Sequence, residues 1–142
     1  MTGARSRYGC MTGCACWPKT ARYDARMASD CLFCRIVAGS IPADVVHETD
    51  TTLAFRDITP KAPVHVLVIP RAHHADLTAI GAADPGLAGE VLAAAAEVAK
   101  AEGLTEGGYR VVINTGPAAG QEVFHVHAHL LGGGPLGPML SR

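Results

Sequence analysis

Three histidines stand two residues apart in Val123-Phe-His-Val-His-Ala-His-Leu-Leu131, with apolar residues between them. A lone histidine in an apolar stretch is usually packed or solvated, but three in register point to chemistry. Imidazole ionises near pH 6.5, so it can be a nucleophile, a proton donor or a neutral hydrogen-bond partner. A period of two over this length predicts a half-buried strand. Phe124, Val126, Ala128 and Leu130 then face a core, and His125, His127 and His129 form a row on the other face. Same-face neighbours on a strand are about 7 Å apart, which keeps three imidazoles from converging easily on one metal ion. The row is expected to divide its roles over one anionic substrate.

Directly upstream lies Asn114-Thr-Gly-Pro-Ala-Ala-Gly-Gln121. By itself such a stretch is a loop; next to the histidines, its backbone N–H groups near Gly120 can approach a phosphate, because glycine has no side chain to clash. Asp57, beside Thr59-Pro60, reads as a turn acid. His65 is the one polar residue in the apolar run Val64–Ile69 and needs a partner. Cys31-x-x-Cys34 offers half of a tetrahedral zinc site, or plain packing.

The elements that position these residues follow from spacing and punctuation. Asp30 is expected to cap a short helix that begins at Cys31 and stops at Gly39. Val45–Glu48 and Thr52–Arg56 predict a hairpin, and Val64–Ile69 a covered central strand. A short helical turn is expected around Asp76–Ile80. A long helix is capped by Asp84, starts at Pro85, carries Leu87, Val91, Leu92, Ala95, Val98 and Ala99 at helical spacing, and ends at Gly103. Tyr109–Asn114 and Val126–Leu131 supply the remaining strands. The expected fold class is α+β: about five antiparallel strands, one long helix and one or two short ones, with the helices on one face.

Composition limits what such a domain can do. The chain has 142 residues, 49% of them hydrophobic, and no apolar run near the roughly 20 residues of a membrane span. Residues 1–26 carry five bases against the single acid Asp24, a net +4, whereas the remainder carries seven bases and twelve acids, a net −5. An acidic domain of this kind lacks the basic face that nucleic-acid binding needs. The division predicts a domain over residues 27–142. Residues 1–26 are read as an upstream extension from a misplaced start codon or an artificial addition, or else as a disordered tail. Cys10, Cys14 and Cys16 fall in that segment and read as incidental thiols.

His-Val-His-Ala-His-Leu-Leu resembles the signature of the histidine triad superfamily, and the surrounding chain is similar to its Hint branch of nucleoside phosphoramidases. The likeness runs from about Cys31 to Leu140 through Cys-Leu-Phe-Cys, Ala-Phe-Arg-Asp-Ile-Thr-Pro-Lys-Ala-Pro-Val-His, Val-Ile-Pro-Arg-Ala-His and Asn-Thr-Gly-Pro-Ala-Ala-Gly-Gln. It implies a HIT-like fold and cleavage of the P–N bond of purine nucleoside phosphoramidates, giving AMP or GMP and an amine. By the same resemblance, His127 is the nucleophile and forms a nucleotidyl-histidine, His129 bonds phosphate oxygens, and His125 and His65 support the site. Asp57 would bind ribose hydroxyls, and Asn114, Gly120 and Gln121 would lie on the phosphate side.

Glu122 stands where Hint proteins usually carry Ser or Thr; its carboxylate would repel an anion or attract a cationic, lysine-like amine. The carboxyl-terminal Gly-Pro-Leu-Gly-Pro-Met-Leu lacks the Trp of some relatives. No cofactor is expected for catalysis. The resemblance does imply a structural zinc on Cys31, Cys34, His73 and His125, with His74 as a competing ligand. It also implies a homodimer, paired through the strand Tyr109–Asn114 and the long helix, with a cytoplasmic location. The alternatives are a dinucleoside polyphosphate hydrolase or nucleotidyltransferase of the same superfamily, and a non-catalytic nucleotide-binding or zinc-stabilised interaction protein.

Overall fold

The structure, a computed structural model, describes residues 30–140; residues 1–26, with Cys10, Cys14 and Cys16, lie outside the described residues. Five strands form one antiparallel sheet: β1 (Val45–Glu48), β2 (Thr52–Arg56), β3 (Val64–Pro70), β4 (Tyr109–Val112) and β5 (Ala128–Gly132), in the spatial order β1-β2-β3-β5-β4. The hairpin registers Glu48 opposite Leu53, with a bulge between Val45 and His47. The β3 strand is central, as its apolar run predicts, and β5 pairs with it so that Leu67 faces His129 and His65 faces Leu131.

Among the described residues three α-helices accompany the sheet: α1 (Leu32–Val37), α2 (Leu77–Ala83) and α3 (Pro85–Ala101). The Asp76 and Asp84 side chains cap α2 and α3 by accepting from Ala79 N–H and Leu87 N–H, which satisfies N–H groups that a first turn leaves unpaired. The α3 helix buries Val91, Ala94, Ala95, Val98 and Ala99 against Ala54, Val66, Val68, Ala128 and Leu130 of the sheet. Its alanines allow close approach. At the end of β5, a Cβ on Gly132 would meet Leu104 Cδ1 at 2.9 Å, so any larger residue there would displace the Leu104 side chain.

Several expectations are corrected. The N-cap of α1 is Cys31, whose thiol accepts from Cys34 N–H; Asp30 is not the cap. The helices do not share one face: Phe33 of α1 packs with Leu53, Phe55, Leu67 and Ile69 on the side opposite α3. The β4 strand ends at Val112, two residues short of Asn114. Most importantly, β5 begins only at Ala128, so the three histidines are not a row on one strand face. Val126 N–H bonds His74 O at 2.7 Å, tying this stretch to the segment after β3. Val126, Ala128 and Leu130 are buried as expected, but Phe124 is 48% exposed. Among the described residues no helix is long and apolar enough to cross a membrane.

Candidate active site and metal centre

His65 and His129 project from neighbouring central strands onto the sheet face not covered by α3, while His125, in a bend, and His127 precede β5 outside the strand ladder. Their hydrogen bonds determine which nitrogen of each ring carries the proton. Lys61 N–H donates to His65 Nδ1 at 3.0 Å, so the His65 proton is on Nε2. That N–H donates to His129 Nδ1 at 2.9 Å, with Asp57 Oδ2 a second acceptor at 3.4 Å. His129 is left with its proton on Nε2. The neighbouring His127 is opposite in sense: its Nδ1–H donates to the carbonyl of His125 at 2.8 Å, leaving Nε2 with a lone pair. A nucleophilic nitrogen and an N–H donor thus stand on adjacent rings whose centroids are 5.0 Å apart.

Burial favours the neutral form of His129 and His65. His129 is lowered to about 4, chiefly by desolvation and then by the charges of His127 and His65. His65 is lowered by desolvation, partly offset by Asp57. The resulting cleft of about 650 Å³ is lined by Asp57, Lys61, Asn114, Gly120, Glu122 and the three rings His65, His127 and His129, among others. Gly120, at φ 88°, adopts the left-handed conformation that ends the 3₁₀ turn Pro117–Ala119.

An apolar hollow of about 680 Å³ adjoins the cleft, lined by Leu32, Phe33, Ile36, Phe55, Ile58 and Leu67 among others. Phe33, Asp57, Ile58 and Leu67 belong to both spaces. Phe33 also meets the His127 ring edge-on at 5.1 Å. A flat apolar group in the hollow and an anion in the cleft would therefore flank Asp57, whose Oδ1 accepts from Thr59 N–H at 2.8 Å.

Behind the cleft, Cys31, Cys34, His73 and His125 each aim one donor atom at a common centre, all four within 4.8 Å of one another. His125 donates from Nε2 to Pro70 O at 2.8 Å, so its Nδ1 lone pair faces both sulfurs at 3.5 Å. His73 Nδ1 lies 3.3 Å from Cys34 Sγ. Zn–S near 2.3 Å and Zn–N near 2.0 Å give tetrahedral edges of about 3.3–3.8 Å, so the set fits zinc. His125 is wholly buried and its pKa is lowered to about 4, mainly by desolvation and partly offset by the Pro70 carbonyl.

The model of the HIT domain family matches residues 38–136. The chain belongs to this family. It is 44% identical over 116 residues to the purine nucleoside phosphoramidase of Escherichia coli strain K12, covering 82% of this chain and 98% of that one. It is also 48% identical over 107 residues to a 14 kDa zinc-binding protein of Brassica juncea, covering 73% and 93%. The crystal structure of a HIT family hydrolase from Legionella pneumophila superposes with a TM-score of 0.72 at 50% identity, over 75% of this chain and 95% of that one. These matches support a nucleotide hydrolase of the HIT family.

Within this HIT fold, the residues singled out in the sequence divide into two groups. The structure brings Asp57, His65, Asn114, Gly120, Glu122, His127 and His129 to the cleft, and Cys31, Cys34, His73 and His125 to the metal-type cluster, which does not include His74. Gln121 is not among the cleft residues. Its Oε1 accepts from Gly116 N–H and its Nε2 donates to Ala75 O and Val123 O, so it holds the loop in place. Sequence reading missed Lys61 and the wall of Leu32, Phe33, Ile36, Phe55, Ile58 and Leu67. The only local signal was an aromatic residue between two cysteines on one helical turn.

Proposed function

We propose that this protein hydrolyses purine nucleoside 5′-phosphoramidates to a nucleoside monophosphate and an amine. The observation that carries this reading is the paired tautomers: His127 offers a lone pair at Nε2, and His129, whose ring centroid lies 5.0 Å away, offers an N–H at Nε2. His127 Nε2 attacks phosphorus and the P–N bond breaks, the nitrogen leaving with the bonding pair and taking a proton from solvent to become the amine, a proton that the attacking water gives back in the next step. Water then attacks the phosphoryl-imidazole, releasing the monophosphate and restoring the lone pair. His129 Nε2–H and N–H groups around Gly120 meet the oxyanion charge, Asp57 takes the ribose hydroxyls, and the apolar hollow receives the purine.

Zinc, when bound, would be held by Cys31, Cys34, His73 and His125 and would act structurally, since all four donors are protein groups. Bound there, it would tie α1 to His125, the residue whose carbonyl accepts from His127 Nδ1–H. We read the protein as a homodimer of the cytoplasm.

Turnover of adenosine 5′-phosphoramidate by the purified protein tests the reading. His127→Ala is expected to lower kcat by about 10⁴-fold or more, as loss of a nucleophile does, while AMP still binds. Wild-type turnover by this variant would overturn it.

A further inference from the structure

Both polar atoms of the Gln121 side chain are engaged inside the protein. Its Oε1 accepts from Gly116 N–H at 2.9 Å, and its Nε2 donates to Ala75 O at 2.8 Å and to Val123 O at 3.1 Å. One partner is a donor and two are acceptors, which fixes the orientation of the amide and uses both of its N–H groups. The residue is 5% exposed and does not line the cleft.

Three parts of the site meet at this side chain. The first is the loop before the catalytic stretch. Gln121 N–H donates to Gly116 O at 3.1 Å while its Oε1 takes Gly116 N–H, so two hydrogen bonds close the loop at its base, with the left-handed Gly120 inside. The second is the cleft wall, reached through Val123. The third is the stretch after β3, where three consecutive residues each hold something. His73 belongs to the metal-type cluster, His74 O accepts from Val126 N–H between His125 and His127, and Ala75 O accepts from Gln121.

The other hydrogen bonds of the loop among the described residues are internal: Ala119 N–H to Gly116 O and Gly120 N–H to Pro117 O. The bond from Gln121 to Ala75 is therefore what fastens the loop to the body of the fold. Directly after Gln121, Glu122 lines the cleft, and its N–H has no backbone acceptor among the described residues. Backbone N–H groups hold an anion well only when they are aligned beforehand, since ordering them at the moment of binding costs affinity.

We propose that Gln121 is the positioning residue of the phosphate loop: by bracing the loop against Ala75, it sets the affinity for the phosphate of a nucleotide without touching that phosphate. This deepens the phosphoramidase reading and rests on its placing of the phosphate at this loop.

The test is calorimetric affinity for two ligands that differ in the phosphate alone, AMP and adenosine. Gln121→Met fills the same space without hydrogen bonds, and Gln121→Glu keeps an acceptor for Gly116 N–H but turns an oxygen toward the carbonyls of Ala75 and Val123. Gln121→Met is expected to lower AMP affinity about tenfold, the scale of one net hydrogen bond, and Gln121→Glu at least as much. Adenosine affinity should stay within about twofold of wild type in both. In the ligand-free protein, hydrogen exchange at Gly116 N–H should quicken about tenfold in Gln121→Met. Unchanged AMP affinity, or an equal fall for AMP and adenosine, would overturn the proposal. A loss of AMP affinity with Gly116 exchange unchanged would put the amide on the phosphate and overturn it too. If Gln121→Met does not fold, Gln121→Glu decides by the same pair of ligands. A wild type that binds AMP no more tightly than adenosine would remove the phosphate site, and this proposal with it. Preference for AMP without turnover of any phosphoramidate would remove the phosphoramidase reading alone.

Discussion

Each histidine of the site is defined by what its second nitrogen does. His127 and His129 are chemically identical side chains two residues apart, yet a carbonyl on one Nδ1 and an N–H on the other give them opposite outward faces. The cost of keeping such rings neutral and buried appears as acid sensitivity. His129 titrates at about 4 in the folded state and His65 is lowered as well, whereas both return to about 6.5 when unfolded. Between those values the unfolded chain binds more protons, so stability rises with pH: it is fully present above about 6.5 and is lost as pH falls toward about 4. Thermal unfolding followed from pH 7.5 to 4.5 should show Tm falling with acidification, more shallowly in His129→Gln. An equal slope in both proteins would contradict these assignments.

Among the elements, α1 is only six residues long but connects three features: the metal-type cluster through Cys31 and Cys34, the apolar hollow through Leu32, Phe33 and Ile36, and His127 through the Phe33 ring. Protein purified without chelator is expected to hold about one zinc per chain. Cys34→Ala should lose it and unfold about 10 °C or more lower, since a ligand bound only by the native state stabilises it. Metal analysis and thermal denaturation check both points, and a metal-free native protein would leave the cysteines as packing. The long helix, the hairpin and the central strand were legible because capping acids, Pro85 and apolar spacing are local signals. The catalytic stretch was only half legible. Its alternation of two correctly buries Val126, Ala128 and Leu130, but residues 125–127 bond back to His74 and to themselves, outside the sheet ladder. Sequence periodicity shows an extended chain and cannot show which neighbour that chain pairs with, so Phe124 was placed in a core it does not enter. The cap of α1 escaped for a similar reason: a thiol held by the cluster took the position that helix rules give to Asp30.

At the scale of the molecule, β4 is a sheet edge and α3 leaves Leu92 half exposed on its outer side, with Tyr109 also exposed. An unpaired strand edge beside apolar side chains invites association, and a two-fold pairing through β4 and α3 would cover both. Light scattering at micromolar concentration should give twice the chain mass, with Leu92→Glu shifting the protein toward the monomer. A wild-type monomer would refute the pairing. Cleft, hollow and cluster are each lined by residues of the one chain. Charge at this scale also agrees with a small anionic substrate: the net −5 beyond residue 26 leaves the recognition of phosphate to local donors.

The central claim is that His127 Nε2 forms a bond to phosphorus. Wild-type protein mixed with an adenosine 5′-phosphoramidate labelled in the adenosine and quenched in milliseconds should carry the label on the peptide containing His127. The label should disappear when turnover is allowed to finish, and it should be absent in His127→Ala. Label on His129 or His125, or wild-type turnover by His127→Ala, would contradict the account.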